Sequence, residues 1–347
     1  MEIIDIINQF DIRGTVKSIK PLGNGHINDT NLVETEFEKY TFQRINTNVF
    51  KNPDELMTNL YAVTEYLKKN YPEEKTISYV RTKSGDMYYK CDEGCYRLSI
   101  FIDNVIAPDD TKDAKTFYEC AVAFGHFQKK LANFPADTLF ETIKDFHNTQ
   151  WRLDNLKAAV KADKAGRLAQ VQKEVEFALA REKDIDTGIT LPLRVTHNDT
   201  KQNNVLLDEV THKGVCVIDL DTIMPGLSIN DFGDSIRFGA NTADEDEQDL
   251  DKMHFSLELF ESYTKGFFDG VGDSLTEDEI NLLPHGAIMM TYECGVRFLT
   301  DYLEGDTYFK IAYPEHNLVR CHTQFKLVYE MEQNLEKMLE IVKKYAK

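Results

Sequence analysis

The sequence has few of the features that mark several protein classes. It contains a single Trp, 9 Pro and 18 Gly in 347 residues, too few for a fibrous or low-complexity chain. Its six cysteines include no CxxC pair, so reduced thiols are predicted rather than a disulfide framework or a zinc site. No run approaches the roughly 18 apolar residues of a membrane span, and the amino terminus lacks the basic start of a signal sequence. We therefore expect a cytoplasmic protein.

Positive charge is also scarce. The chain carries 40 Lys plus Arg against 59 Asp plus Glu, a formal net charge of −19. Because a field of this sign repels phosphate backbones and anionic lipid, nucleic acids and membrane surfaces are poor partners. A small anionic nucleotide can still bind through a metal ion and local dipoles. We expect a small-molecule substrate and a monomer.

The first hundred residues have the pattern of a sheet. Between residues 15 and 101, short strand-like runs follow one another around a turn at Gly23–Gly25. Pro53 is a typical helix start. The pattern predicts a small antiparallel sheet with one helix inserted after its third strand.

The hydrophobic period becomes helical after Asp103. Long amphipathic stretches lie at 113–133, 151–182, 247–269, 276–304 and 317–345. The acidic run at 243–251 is interpreted as the solvated start of one of these helices. We predict an α+β fold of two lobes, with residues 1–102 as a sheet-rich N-lobe and residues 103–347 as a larger, mainly helical C-lobe that contains the catalytic-loop hairpin.

One β-like segment, residues 193–221, interrupts the helical half and carries the most informative motif. His197, Asp199 and Asn204 have the HxDxxxxN spacing of kinase catalytic loops, in which the Asp accepts the proton of the attacking hydroxyl and the Asn holds Mg²⁺. A short hairpin then returns and delivers Asp219 beside Asn204. Such residues can also simply cap strands and turns, but the spacing and the hairpin together predict a magnesium-dependent phosphotransferase.

The glycine signals are weaker. Neither a Walker A sequence nor a complete GxGxxG pattern is present, and Gly23 and Gly25 alone would be an ordinary hairpin turn. Together with the catalytic motif, they and Asn28 are interpreted as a cover for the nucleotide phosphates. The third strand has Gln43 where a phosphate-pairing lysine would be expected, and Arg44 should point to the other face. The residue that replaces this lysine is left open.

A resemblance to a known family runs almost from end to end. It is carried by GNGHIND at 23–29, RVTHNDTKQNN at 194–204, IDLDTIMPG at 218–226, DFGDSIRFGA at 231–240, ECGVRFLTDYLEGDTYF at 293–309 and YPEHNLVR at 313–320. With these blocks the chain resembles the aminoglycoside phosphotransferase and choline kinase superfamily, and within it the bacterial N-acetylhexosamine 1-kinases. The resemblance implies a protein-kinase-like fold, ATP and Mg²⁺, and phosphoryl transfer to the anomeric hydroxyl of N-acetylglucosamine or N-acetylgalactosamine.

The catalytic loop then takes defined roles. Asp199 is the expected base, which orients the sugar C1 hydroxyl and accepts its proton. Lys201 is expected to neutralise charge on the transferred group. His197 is expected to hold the loop by packing and hydrogen bonding, and Asp231 resembles the family's aspartate that braces it.

The metal and the nucleotide are assigned to neighbouring positions. Asn204 and Asp219 are expected to hold Mg²⁺, and Asp221 either adds an outer contact to the metal or fixes the loop. Phe101 and Ile102 resemble the hinge whose main chain contacts adenine, although a plain buried strand would look the same.

The acceptor is assigned to the C-terminal blocks. Arg297 and Tyr308 are expected to contact the sugar, because a guanidinium and a phenol suit hydroxyl and acetamido oxygens, and His26 is a further candidate. An ion pair with Glu293, four residues earlier, would also explain Arg297. Kinases of choline or of an aminoglycoside are the alternative function, although a cationic substrate favours acidic side chains or an aromatic cage. The third hypothesis is a catalytically inactive protein that binds a nucleotide.

Overall fold

The N-terminal region is an antiparallel sheet in a computed structural model that describes residues 2–22, 28–108 and 112–346. Its strands are β1 (Val16–Pro21), β2 (Asp29–Thr35), β3 (Lys39–Ile45), β4 (Tyr79–Val80), β5 (Tyr89–Cys91) and β6 (Gly94–Ile100). They are ordered β1–β2–β3–β6–β4, and β5 also pairs with β6. Every pairing is antiparallel.

Alternation along β3 decides which face of the sheet is covered. Tyr40 and Phe42 lie on one face and are fully buried. Tyr96 stacks on Phe42 with ring centroids 5.4 Å apart, and Phe10, which follows the short helix α1 (Ile3–Ile7), lies edge-on to the same ring at 6.4 Å. Gln43 therefore lies on the opposite face.

A helix, α2 (Pro53–Asn70), lies between β3 and β4, where the sequence predicts it. Pro53 occupies its first turn, and the Asn52 side chain caps it by accepting a hydrogen bond from the Glu55 amide. The apolar side of α2 packs into the same buried cluster as Val205 and Leu207 from the predicted catalytic segment. The sheet region and the catalytic segment thus share a hydrophobic core.

The C-terminal part is mainly helical, so that the predicted α+β class is confirmed. Its helices are α3 (Ala114–Leu131), α4 (Thr149–Ala162), α5 (Gln172–Leu179), α6 (Ser228–Gly239), α7 (Leu257–Val271), α8 (Glu277–Glu304), α9 (His316–Gln333) and α10 (Leu335–Tyr345). The long α8 is buried along most of its length and packs against α4, α6 and α9. A capping box of Thr276 and Glu279 begins α8, and Gly305 ends it in a left-handed conformation.

Five short strands lie among these helices. They are β7 (Val105–Ile106), β8 (Arg194–Thr196), β9 (Val205–Asp208), β10 (Gly214–Val217) and β11 (Met224–Gly226). One small sheet has the order β10–β9–β7, and β11 pairs with β8 in another. Together they hold the segment that the sequence singles out.

Three of the predicted helical stretches are wrong in detail. The stretch 317–345 forms two helices, α9 and α10, which are separated at Asn334. Residues 151–182 form two helices because Asp163 ends α4 with a left-handed φ of 37°, and Gly166 follows with a φ of 67°. The acidic run at 243–251 does not start a helix; α7 begins at Leu257 after an N-cap at Ser256.

Two absences in the sequence have structural counterparts. None of the described helices is both long and apolar enough to cross a membrane. All six cysteines are free thiols.

Candidate active site

The hairpin of β9 and β10 brings Asp219 next to Asn204. Val217 stands opposite Val205 in the ladder, and the next amide, of Ile218, donates to the carbonyl oxygen of Asn204 at 2.8 Å. Asp219 follows immediately and adopts a left-handed φ of 57°. The hairpin return expected from the sequence is therefore present.

Asp199 is held by two neighbours on the same loop. The Asn204 side-chain amide donates to the Asp199 backbone oxygen at 2.8 Å and to Oδ2 at 3.2 Å. Lys201 Nζ lies 3.1 Å from the same Oδ2. No described residue donates a hydrogen bond to Oδ1, so this carboxylate oxygen is available to a substrate hydroxyl group.

The positive charge of Lys201 is stabilised by the carboxylates around it. Burial acts to lower the pKa of Lys201, but Asp199, Asp234 and Asp219 outweigh it, so the pKa is raised. Lys201 is therefore a cation at neutral pH. It stands beside the carboxylate that we assign as the base.

Asp219 lies in an environment that favours a cation. Its side chain is reached by solvent, yet burial within the surrounding protein and the nearby carboxylates of Asp221 and Asp199 raise its pKa to about 6. No hydrogen-bond donor of the described chain contacts its carboxylate. Within the described ranges, no three His, Cys, Asp or Glu side chains form a metal cage. The oxygens of Asp219 and Asn204 nevertheless suit Mg²⁺, which keeps few protein ligands where phosphates and water complete its shell.

His197 holds the loop from inside the protein. It is fully buried, and the rings of Phe124 and Phe127 lie against it. Its Nδ1 accepts from the Asp199 amide at 3.3 Å, so Nε2 carries the hydrogen and donates to the Ile218 carbonyl at 2.8 Å. Both ring nitrogens are thus occupied by the backbone of the loop, which fits the expected holding role.

The first half of α6 grips the same loop. Asp231 accepts hydrogen bonds from the amides of His197 and Asn198 at 2.9 and 2.8 Å. Three residues later, Asp234 accepts from the Thr200 amide at 2.9 Å. The loop backbone is therefore fixed at three amides, of which two precede Asp199 and one follows it.

The carboxylate of Asp221 is held by two side chains of the N-terminal region. Its carboxylate pairs with the guanidinium of Arg97 on β6, with Arg97 Nη2 3.0 Å from Oδ2, and accepts from the Asn28 amide at 2.6 Å. Arg97 Nε also donates to the Gln43 side-chain oxygen at 2.9 Å. Burial disfavours the charge of Arg97, but Asp221 outweighs it and raises the pKa of the guanidinium. Asp221 is thus committed to a buried ion pair with the N-terminal sheet.

The remaining nucleotide positions are only partly described. Gly23, Gly25 and His26 lie outside the described residues. Phe101 is tied to β3 by its amide, which donates to the Lys39 carbonyl at 2.9 Å. No described residue forms a hydrogen bond with the main chain of Ile102. Its amide therefore has no partner among the described residues that would prevent contact with a nucleotide base.

Arg297 lies in an aromatic surround on α8. Its guanidinium carbon is 5.8, 5.9 and 5.5 Å from the ring centroids of Phe146, Tyr308 and Phe309. No hydrogen-bond or ion-pair partner contacts it within the described part of the chain. Glu293 accepts from Thr149 and pairs with His147 instead. The ion pair that would have explained Arg297 structurally is therefore not formed.

Residues 18–264 match the family described as phosphotransferase enzyme family, more than half of the chain. This chain belongs to that family. An aminoglycoside phosphotransferase from Alicyclobacillus acidocaldarius superposes with a TM-score of 0.65 at 13% identity, covering 99% of this chain and 97% of that chain. For a microcompartment-associated aminopropanol kinase the values are 0.61, 14%, 96% and 97%. For a spectinomycin phosphotransferase in complex with ADP and spectinomycin they are 0.56, 13%, 99% and 97%.

Identities this low show a shared fold, and the family assignment makes the chain a phosphotransferase. Sequence reasoning missed three residues of this phosphotransferase site. Asp234 had a signal, because it stands three residues after Asp231 and so on the same helical face. Arg97 and His147 had none, since their partners lie 124 and 146 residues away in the chain.

Proposed function

We propose that this phosphotransferase uses ATP and Mg²⁺ to phosphorylate the anomeric C1 hydroxyl of an N-acetylhexosamine, giving the N-acetylhexosamine 1-phosphate. The observation that carries the proposal is the unpaired guanidinium of Arg297 within its aromatic surround. A free guanidinium favours an uncharged, oxygen-rich acceptor and repels a cationic one. Aromatic rings beside it offer faces for the apolar side of a sugar ring. The assignment of an N-acetylated amino sugar as the acceptor, either N-acetylglucosamine or N-acetylgalactosamine, rests on the sequence blocks at 293–309 and 313–320.

The described residues can divide the reaction among themselves. Asp199 orients the C1 hydroxyl with Oδ1 and accepts its proton, while Lys201 and Asn204 hold Oδ2. Lys201 also offsets negative charge on the phosphoryl group in transit. His197, Asp231 and Asp234 keep the loop in register without touching the substrates.

Asn204 and Asp219 would hold Mg²⁺, which would supply positive charge to offset the charge of the nucleotide phosphates. Asp221 is assigned to fixing the loop, because Arg97 and Asn28 occupy its oxygens. The proposal thereby narrows the three predicted metal positions to two.

The nucleotide is assigned to the cleft between an N-lobe at 1–102 and a C-lobe at 103–347. As the sequence predicts, we assign Gly23 and Gly25 to the phosphates, and the main chain of Phe101 and Ile102 to the nucleotide base. Arg97 stands opposite Gln43 in the ladder of β3 and β6, but its guanidinium is buried and pairs with Asp221 and Gln43, so we do not assign it to the phosphates. The setting that we propose is a bacterial cytoplasm, with a monomer as the working unit.

The experiment that tests this function is magnesium-dependent ADP release with N-acetylglucosamine, N-acetylgalactosamine, galactose, choline, aminopropanol and spectinomycin as acceptors. A reducing-end assay on the product accompanies it. We expect turnover with an N-acetylhexosamine and loss of its reducing end. Turnover with a retained reducing end would move the transfer to another hydroxyl. Activity confined to the amines would refute the acceptor assignment.

Arg297→Ala gives a second, residue-specific test. We expect it to raise the KM of the sugar by about tenfold or more, since a charge-assisted hydrogen bond is lost, and to leave the KM of ATP nearly unchanged. Arg13→Ala is the matched control, because Arg13 pairs with Glu38 at an exposed position. Equal effects on both KM values would remove Arg297 from the acceptor pocket.

A further inference from the structure

A buried histidine joins α8, the helix that carries Arg297, to the catalytic loop. His147 lies just before α4, and its Nδ1 is 3.0 Å from Glu293 Oε1 on α8. Its Nε2 is 3.3 Å from the backbone oxygen of Asn198, the residue before Asp199. The side chains of His147 and Glu293 are 10% and 1% exposed, so water does not compete for these contacts.

Both ring nitrogens of His147 face oxygen atoms that accept hydrogen bonds. A carboxylate oxygen and a peptide carbonyl oxygen carry no hydrogen, so each contact needs a hydrogen on the ring nitrogen. The arrangement therefore calls for the imidazolium form. The charged groups that act on it are Glu293 and Arg297 from α8 and Asp234 from α6. Burial lowers the pKa of His147, but the two carboxylates outweigh burial and Arg297, and the pKa is raised.

The pair also decides what happens to Arg297. Glu293 and Arg297 stand four residues apart on α8, the spacing at which carboxylate and guanidinium side chains reach each other. Glu293 does not use this partner, because Oε1 bonds His147 and Oε2 accepts from Thr149 at 2.7 Å. Among the described residues, Arg297 is thereby left without an ionic partner in its aromatic surround.

We propose that His147 is a specificity-positioning residue, which as an imidazolium holds Glu293 away from Arg297 and so keeps the Arg297 guanidinium available to an oxygen-rich acceptor. This inference rests on the proposed function in one respect, the assignment of Arg297 to the acceptor pocket. It adds a residue outside the predicted motifs that sets the charge of that pocket. The hydrogen bond from His147 to the Asn198 carbonyl oxygen also holds α8 at a fixed distance from Asp199.

A rescue experiment separates this role from a purely structural one. His147→Ala frees the Glu293 carboxylate to pair with Arg297, so we expect the KM of N-acetylglucosamine to rise by about tenfold with little change in the KM of ATP. Adding Glu293→Gln removes that carboxylate and should bring the sugar KM back to within about threefold of the native value. A double variant as impaired as His147→Ala, or more impaired, would overturn the proposal.

His322→Ala is the matched control for the kinetic experiment. His322 forms a His–Glu pair of similar length, with Nε2 2.9 Å from Glu174 Oε1. This pair joins α5 and α9 and does not contact the catalytic loop or Arg297. We expect neither KM to change, and a rise in the sugar KM here would show that the effect of His147→Ala is not specific.

The protonation state can be measured on the native chain without any acceptor. Ring ¹⁵N chemical shifts at pH 7 should show both nitrogens of His147 protonated, with the resonances assigned by their loss in His147→Gln. A single protonated nitrogen would overturn the proposal even if His147→Ala and the double variant failed to fold. Because this readout involves no substrate, it stands whether or not N-acetylhexosamines prove to be the acceptors.

Discussion

At the scale of single residues, the two oxygens of the Asp199 carboxylate have different tasks. Oδ2 is held by Lys201 and by the Asn204 amide, and Oδ1 has no described partner. A carboxylate fixed by one oxygen can direct the other at an incoming hydroxyl without having to reorient. The geometry thus favours Asp199 as the residue that meets the acceptor.

Asp199→Asn tests this directly. The amide keeps the size of the side chain but cannot take the proton of the substrate hydroxyl, so we expect turnover to fall by about 10² or more. Nucleotide affinity should be largely retained, because Asp199 does not bind the phosphates in our assignment. ADP release measures the first quantity and calorimetric titration with ADP measures the second. Near-normal turnover would remove Asp199 from the role of base.

The His147–Glu293 pair makes the stability of the fold depend on pH. The folded-state pKa of His147 lies above its usual 6.5, so its stabilisation is complete below that value and is lost as the pH rises through the folded pKa. His147 and Arg297 outweigh burial and hold the pKa of Glu293 below its usual 4.5. The Glu293 contribution is therefore present above 4.5 and is lost as the pH falls through the folded pKa.

We therefore expect His147→Gln to lower the midpoint of thermal unfolding most below pH 6.5, and progressively less as the pH rises through the folded-state pKa of His147, where the native chain loses the imidazolium. Thermal unfolding followed by circular dichroism at a series of pH values measures this difference. A difference that does not shrink at any pH above 6.5 at which the native chain is folded would contradict the assigned imidazolium.

Local spacing was enough to predict one part of the site and not the rest. Asp199, Asn204 and Asp219 lie within one loop and one hairpin, so the ladder alone brings them together. The partners of Asp221 could not be predicted, because Arg97 belongs to a strand 124 residues away and becomes a neighbour only through tertiary packing. Spacing shows which residues share a loop, and burial decides which of them are free to bind a ligand.

At the scale of elements, α6 and α8 touch through their backbones. A Cβ on Gly233 would lie 2.3 Å from the carbonyl oxygen of Gly286, and one on Gly286 would lie 2.3 Å from that of Ile229. The glycine in the DFGD string is therefore explained by close helix packing. This contact holds the helix that carries Asp231 and Asp234 against the helix that carries Arg297.

Gly233→Ala separates packing from intrinsic helix propensity. In a helix without such a neighbour, this change stabilises by about 0.5–1 kcal/mol. Here the added methyl group meets backbone that cannot rotate away, and we expect a destabilisation of about 1–3 kcal/mol. Urea unfolding measures the change, with the slope checked for constancy. An increase in stability would show that α6 and α8 do not approach as closely as described.

The long helices followed from periodicity, and their interruptions did not. The stretches at 113–133 and 276–304 correspond closely to α3 and α8. The acidic run at 243–251 was misassigned because its charges serve tertiary contacts. Glu245 pairs with Arg237, and Asp246 pairs with His316. Periodicity detects a buried face, whereas an irregular segment held by long-range ion pairs has no periodic signal.

At the scale of the whole molecule, one buried ion pair links the N-terminal sheet to the catalytic segment. Arg97 extends from β6, and Asp221 follows β10, with side chains 3% and 4% exposed. Asn28 adds a second link, because it bonds Asp221 and accepts from the Asn46 amide at 2.9 Å. The position of the sheet over the catalytic loop therefore depends on these polar contacts as well as on the core shared with α2.

The strength of this link can be measured by a double-mutant cycle on Arg97→Met and Asp221→Asn. Removing either partner leaves the other charge buried and unpaired, so we expect each single variant to lose about 3–5 kcal/mol in the free energy of unfolding. The double variant contains neither charge and should lose clearly less than the sum, with a coupling of about 2 kcal/mol or more in urea unfolding at pH 7. Additive losses would mean that the two side chains do not interact in solution. The sheet would then be held over the catalytic loop by the shared hydrophobic core alone.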